Sequence, residues 1–330
     1  MTKHILTKHI LGGDSSSTKS VRGTKHILGF PVIRTIIPEE LEQTPWGVTK
    51  INSEYVWNTC KSKGKEVKVA IIDTGIDKNH PDLKGNIKGG YNFVEEDDPD
   101  DILDDNGHGT HIAGVIAALA NDTGIIGTAP EASLYGVKCL DSQGIGEDYN
   151  IIKGINWCVE NKMDIVNMSF GDVETSKAEK DAIDNAIEHG IVLVAACGNS
   201  GIGKDTIDYP AKYSNIISVG ATNVNDKRAS FSSTGPRLDV MAPGVDILST
   251  TPGSYFAYSG TSMSCPHVVG EIALMMSYNP GLRGKVDEIR QIVEMGSIHL
   301  GIGVEGKSNL QYGYGRIDAK KTLNNIALKK

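Results

Sequence analysis

From Trp46 onward short apolar runs alternate with stretches of helical spacing, and this limits the chain to few architectures. Residues 67–72, 134–140, 165–170, 191–196 and 216–221 are six- or seven-residue runs rich in Val, Ile and Leu. They are too short for helices and read as buried strands. Between and after them, 111–120, 148–160, 178–188 and 268–277 carry apolar residues at helical spacing, and Gly190 follows the third as a C-cap. Residues 286–294 and 318–328 read as closing helices. Such alternation predicts an α/β fold, a mostly parallel central sheet with helices on both faces. Ligands on such sheets bind beyond the carboxyl ends of the strands. A chain of 330 residues fits one large domain, and no second domain is apparent.

One stretch carries the pattern of a nucleophile: Gly260-Thr261-Ser262-Met263-Ser264-Cys265-Pro266-His267. Small residues let a peptide backbone pass close by. Pro266 is expected in the first turn of the helix that follows, which sets Ser262 at a helix N-terminus, where an oxyanion is favoured. A lone serine there is usually an N-cap. The other parts of an acyl-transfer site are present, however. Asp73 ends an apolar run and precedes Thr74-Gly75. His108 lies in Asn106-Gly107-His108-Gly109-Thr110-His111, and Asn199 in Gly198-Asn199-Ser200-Gly201 after another apolar run. The order Asp, His, Ser is that of subtilisins, not of chymotrypsin or the α/β-hydrolases.

In these four motifs, and in the segments between them from about Thr44 to the C-terminus, the chain resembles the subtilisin-type serine endopeptidases. The short leader and the lack of a secretion signal point to their intracellular branch. The resemblance implies Ser262 as nucleophile, His108 as general base, Asp73 as its orienting acid and Asn199 as oxyanion donor. It implies substrate binding as an added strand between Ser169-Phe170-Gly171 and the segment holding Gly144 and Gly146. Asp208, in Thr206-Ile207-Asp208-Tyr209-Pro210, falls at the base of the pocket for the residue before the scissile bond. A carboxylate there favours Lys or Arg; the alternatives are that Asp208 turns outward or helps bind a second cation near Ala211. Calcium is the implied cofactor. Its ligands would be the Leu119, Thr123 and Ile125 carbonyls, the Asn121 amide, the Asp82 carboxylate and Glu42, oxygens of the kind a hard cation takes.

Rival chemistries are weak. Asp73-Thr74-Gly75 suggests an aspartic protease, but that chemistry needs two carboxylates and no second Asp-Thr-Gly occurs. His108 and His111 lack the glutamate of a zincin motif. His267 reads as structural. A non-catalytic peptide-binding or regulatory relative is the alternative from another class, and the complete set of Asp73, His108, Asn199 and Ser262 disfavours it. Two departures from the family stand out. Glu271 replaces a small residue behind Ser262 and is expected to face solvent or find a partner. Cys197 and Cys265, near Asn199 and Ser262, read as packing residues with a possible sensitivity to thiol reagents.

A net charge of −8 argues against a nucleic-acid partner. No apolar run approaches the ~20 residues of a membrane helix, and no signal-peptide core is seen. Five cysteines without framework spacing suit free thiols in a reducing compartment. The expectation is a cytoplasmic enzyme acting on proteins and peptides; the sequence leaves a homodimer open. Residues 1–30, with Thr-Lys-His-Ile-Leu at 2–6, 7–11 and 24–28 and a Gly/Ser linker, read as a disordered tail. Residues 31–43 resemble the short inhibitory propeptide of intracellular subtilisins, with Ile36-Ile37-Pro38 lying across the active site. Residues 44–330 are read as the catalytic domain.

Overall fold

The computed structural model describes residues 25–27, 34–35, 42–94, 98–301 and 304–327. Two short strands, β1 (Lys25–Ile27) and β2 (Arg34–Thr35), precede α1 (Trp46–Lys50), α2 (Ser53–Tyr55) and a π-helical turn at Val56–Cys60. Then follow β3 (Lys68–Asp73), β4 (Ile87–Asn92), α3 (His108–Ala117), β5 (Ser133–Lys138), β6 (Ile145–Glu147) and α4 (Asp148–Glu160). The second half holds β7 (Ile165–Met168), α5 (Lys177–Glu188), β8 (Val192–Ala196), β9 (Ile217–Thr222), β10 (Val240–Pro243), β11 (Ile247–Thr251) and β12 (Ser254–Tyr258). It closes with α6 (Thr261–Tyr278), a 3₁₀ turn at Pro280–Leu282, α7 (Val286–Gly296) and α8 (Ala319–Ala327).

The central sheet has seven strands in the order β10-β9-β8-β7-β3-β5-β4, all parallel. Its core is two-sided, as parallel sheets require. Along β3, Val69 and Ile71 belong to the core that also holds residues of α3, α6, α7 and α8, while Ala70 and Ile72 belong to the one that holds residues of α4 and α5. That is the period-two alternation of a strand with both faces covered. In α4, Ile151, Gly154, Ile155 and Cys158 are buried, a single stripe at helical spacing. In α5, the Ser176 hydroxyl accepts the Glu179 N–H at 2.9 Å, a side-chain N-cap. Residues 261–276 of α6 are buried on every side, so this helix runs through the core.

Two helices start earlier than their apolar patterns. α3 begins at His108 because Gly107, at φ 103°, turns the chain and the Asp104 carboxylate accepts the Gly107 and Thr110 N–H groups, both at 2.8 Å. α6 begins at Thr261, so Pro266 lies in its second turn, not in the first as expected. Proline there cannot donate to the carbonyl of Ser262, one turn back. The Ser169 hydroxyl donates to that carbonyl instead, at 3.0 Å, and the helix continues. The apolar pattern also missed β4, an edge strand of sequence Ile-Lys-Gly-Gly-Tyr-Asn, where Gly90 presses against the Gly136 backbone.

Outside the main sheet, β11 and β12 form an antiparallel hairpin that β2 extends. β1, inside the stretch read as a tail, pairs antiparallel with β6. The two upstream repeats and Ile36-Ile37-Pro38 lie outside the described residues. Among the described residues, no helix is long and apolar enough to cross a membrane.

Candidate active site

Parallel strands end on one side, and the candidate residues collect there. Asp73 closes β3, Ser169 follows β7 and Asn199 lies just past β8. Asp73 Oδ1 accepts the Thr74 N–H at 2.8 Å and lies 2.8 Å from His108 Nδ1. Both residues are buried. A ring that donates from Nδ1 keeps a lone pair on Nε2, and Nε2 of His108 has no hydrogen-bond partner among the described residues. The approach of α3 to β3 depends on Gly109, where a Cβ would stand 2.1 Å from the Gly75 carbonyl oxygen and 3.2 Å from Asp73 Cβ.

α6 packs directly against α3. The Ser262 hydroxyl donates to the Ser169 carbonyl at 2.9 Å and makes no hydrogen bond to His108. Asn199 is aimed by Thr261, whose N–H and hydroxyl donate to Asn199 Oδ1 at 3.0 and 3.1 Å. That leaves the amide Nδ2 on the opposite side. A Cβ at Gly260 would lie 3.8 Å from Ser262 N and 3.9 Å from Asn199 Nδ2, so both donors border one small space beside this glycine. Ser262 N is among the first N–H groups of α6, which have no intrahelical acceptor. A hydroxyl, an imidazole held by a carboxylate and two converging N–H donors are the parts needed for acyl transfer.

Asp104 is a site residue that the sequence reading missed. Besides capping α3 it accepts the Thr74 hydroxyl at 2.8 Å, and Thr74 in turn accepts the Gly109 N–H at 3.0 Å. It thereby ties the loop after Asp73 to the helix carrying His108. Within Asp104-Asp105-Asn106-Gly107 nothing local distinguishes Asp104 from its neighbours; only a capping search toward the helix start would have found it. His111 has separate duties. Its Nε2 lies 2.9 Å from the Ile247 carbonyl, its ring stacks on Tyr258, and burial pushes its pKa down to about 3. His267 is fully buried, bonded to the Met263 carbonyl at 2.9 Å, with its pKa pushed down to about 4 by burial. Both rings are neutral wedges in the core.

Gly144, at φ 71°, lets the chain turn into β6, which contains Gly146. Phe170 and Ser169 are buried, while Gly171 lies against Asp208. A Cβ at Gly198 would stand 2.2 Å from Asp208 Oδ2, and one at Gly171 would stand 2.9 Å from Asp208 Cβ. The Asp208 side chain thus fits between two glycines just past the ends of β8 and β7. Partial burial raises its pKa to about 6, with Asp172 adding to the shift and Lys212 opposing it. Lys212 is itself paired with Asp205 at 2.9 Å.

The candidate cation loop is drawn together by two carboxylates. Glu42 Oε1 accepts the Asn121 and Asp122 N–H groups at 2.8 and 3.1 Å. Asp82 accepts the Asn121 amide at 3.1 Å, the Ile125 N–H at 2.9 Å and the Tyr255 hydroxyl at 2.8 Å. Asn121 Oδ1 accepts the Thr123 N–H at 3.2 Å. No three His, Cys, Asp or Glu side chains among the described residues stand close enough together to hold an ion. An ion held there would have to take its further donors from amide and carbonyl oxygens, such as those of Leu119, Asn121, Thr123 and Ile125. An all-oxygen set of this kind fits a hard cation.

The two departures resolve differently. Cys197 and Cys265 are fully buried, and burial pushes the Cys197 thiol up to about 12 and that of Cys265 higher still. Such thiols are unreactive. Glu271 does not reach solvent, and among the described residues neither of its oxygens has a hydrogen-bond partner within normal geometry, contrary to expectation. Burial instead pushes its pKa up to about 8, so that it is a neutral acid near pH 7.

A model of the subtilase family matches residues 64–315. Subtilisin E of Bacillus subtilis (strain 168) is 46% identical over 289 residues, 86% of this chain and 72% of the relative. Subtilisin of Bacillus pumilus is 46% identical over 283 residues, 84% of this chain and 98% of the relative. An intracellular serine protease of Paenibacillus polymyxa is 44% identical over 256 residues, 76% of this chain and 77% of the relative.

Proposed function

Since the chain belongs to the subtilase family, we propose that Asp73, His108 and Ser262 are its catalytic triad and Asn199 its oxyanion donor. The protein is a serine endopeptidase acting on protein substrates. Ser262 Oγ attacks the scissile carbonyl as His108 Nε2 takes its proton. Asp73 holds the ring with Nδ1 protonated and stabilises the imidazolium that forms. The oxyanion of the tetrahedral intermediate receives hydrogen bonds from Asn199 Nδ2 and Ser262 N. His108 then gives its proton to the departing amine, and water repeats the sequence on the acyl-enzyme. The observation that carries this reading is the 2.8 Å contact between buried Asp73 and His108, with Nε2 left unbonded.

The leader is the second part of the reading. β1 pairs with β6, and β2 pairs with β12, the strand that precedes α6 in the chain. The β2 pairing supports residues 31–43 as an inhibitory segment, removed by self-cleavage between Pro38 and Trp46. One experiment tests both parts. Wild type and Ser262→Ala are treated with a fluorophosphonate probe, assayed on casein and followed by intact mass. Wild type should label, digest casein and lose its leader; Ser262→Ala should do none of these. Labelling that survives in Ser262→Ala defeats the triad. A fully active wild type that keeps its N-terminus defeats the leader reading.

Asp208 is proposed to line the pocket for the residue before the scissile bond and to favour Lys or Arg there. Calcium, when bound, would be held by Glu42, Asp82, Asn121 and the Leu119, Thr123 and Ile125 carbonyls, and would supply structural cross-linking, not chemistry. The five cysteines, all free, support a reducing compartment, and the cytoplasm is the proposed location.

A further inference from the structure

β3 and β5 lie side by side in the central sheet, and their last residues, Asp73 and Lys138, stand in register. The Lys138 side chain is only 4% exposed. A buried ammonium is costly unless strong acceptors meet it. Lys138 has two. Its Nζ donates to the Thr74 carbonyl and to Asp105 Oδ1, both at 2.7 Å, the short distance of charge-assisted bonds.

Each acceptor lies on a loop that carries one member of the proposed triad. Thr74 follows Asp73, and Asp105 stands three residues ahead of His108. Lys138 belongs to neither loop, so one buried cation fastens the two together. Asp104 makes a second tie between them through the Thr74 hydroxyl. Thr74 is thereby held at its hydroxyl and at its carbonyl. The restraint matters because Gly107, at φ 103°, stands between Asp105 and His108. Glycine leaves the chain many conformations, so the place where α3 begins depends on what holds the residues before it. An apolar side chain would fill the space of Lys138 at less cost, and Asp105, 44% exposed, could be solvated by water alone. What the buried pair adds is a fixed position for both loops.

We propose that Lys138 is a positioning residue for the reaction: through Thr74 and Asp105 it locks the loop after Asp73 to the loop before His108, and so sets the imidazole between Asp73 and Ser262. This rests on the reading of those three residues as the triad. Buried and bonded to backbone and carboxylate, Lys138 touches no substrate and acts only through His108. Release of the tie lets the start of α3 drift, and a drift of about 1 Å at a catalytic group costs on the order of 10²-fold in rate.

The test uses the full chain, with Lys138→Met, Asp105→Asn and the double variant assayed on a fluorogenic peptide and with a fluorophosphonate probe. Lys138→Met keeps the length of the side chain and removes its charge. It should lower kcat by about tenfold or more while KM stays within about twofold. Its labelling by the probe should slow by a similar factor yet still reach one adduct per chain. A variant that merely folds poorly would instead label fewer chains at the wild-type rate. Asp105→Asn, on the surface, should lower kcat by about threefold or more, a result that stands even if Lys138→Met does not fold. The double variant should be no slower than Lys138→Met by more than about twofold, because the two residues act as one unit. A wild-type kcat in either single variant overturns the proposal, as do losses that multiply in the double. Failure of the underlying reading looks different: then wild type forms no adduct, or labelling survives in Ser262→Ala.

Discussion

At the scale of single residues, two carboxyls depart from what their side-chain type predicts. Glu271 lies in α6 facing Thr322, Asp318 and Arg316, with its pKa raised to about 8 mainly by burial. The unfolded carboxyl ionises near 4.5. Between these values the unfolded state is deprotonated while the folded state keeps its proton. Stability therefore falls as pH rises through that window, by about 1.4 kcal/mol per unit for this group, and levels off above it. Glu271→Gln in a Ser262→Ala background should remove this slope. Its unfolding temperature should exceed that of the parent by more at pH 8 than at pH 5; an equal difference at both values would show that Glu271 does not titrate in the window. Asp208 is the other. Paired peptides with Arg or Phe before the scissile bond should show Asp208→Gly lowering the Arg:Phe ratio of kcat/KM by about tenfold or more. A ratio unchanged by the substitution would place specificity elsewhere.

At the scale of elements, the position of α3 against β3 governs the Asp73–His108 contact. The contact exists because residue 109 has no side chain. Gly109→Ala would drive a methyl to within 2.1 Å of the Gly75 carbonyl oxygen, a backbone atom with little freedom to yield. The N-terminus of α3 must then retreat and take His108 with it. Displacements of about 1 Å at a catalytic group cost on the order of 10²-fold. Gly109→Ala should lower kcat strongly while KM and the far-ultraviolet circular dichroism change little. A kcat equal to wild type would mean that the helix has slack there. The helices show how far a local pattern reaches. α4 begins and ends where its apolar stripe predicts, because amphipathic burial alone sets it. α3 and α6 do not: Asp104, a few residues ahead of α3, caps its first turn, and Ser169, far away in the chain, bonds the Ser262 carbonyl that Pro266 leaves free, so α6 runs on through the proline.

At the scale of the whole molecule, Glu42, Asp82, the 119–125 loop and Tyr255 join four stretches far apart in sequence. A cation bound among their oxygens would stabilise the folded chain by mass action. In Ser262→Ala, which cannot digest itself, millimolar calcium should raise the unfolding temperature by several degrees, about 1–3 kcal/mol in a chain of this size. Chelation should reverse the rise, and Asp82→Ala should abolish it. An unfolding temperature indifferent to calcium would exclude the site.

The sequence by itself determined the class of fold, the parallel strands and the presence of Asp73, His108, Asn199 and Ser262. Each is written in a local pattern: a six-residue apolar run, a helical stripe, or small residues around a reactive one. Only the tertiary structure decided that Glu271 is a buried neutral acid and that Cys197 and Cys265 are inert. It also decided that Pro266 sits in the second turn of a helix and that Asp104 ties the loop after Asp73 to α3. Burial and long-range hydrogen bonding depend on what other segments bring to a position, and neither is encoded at that position alone.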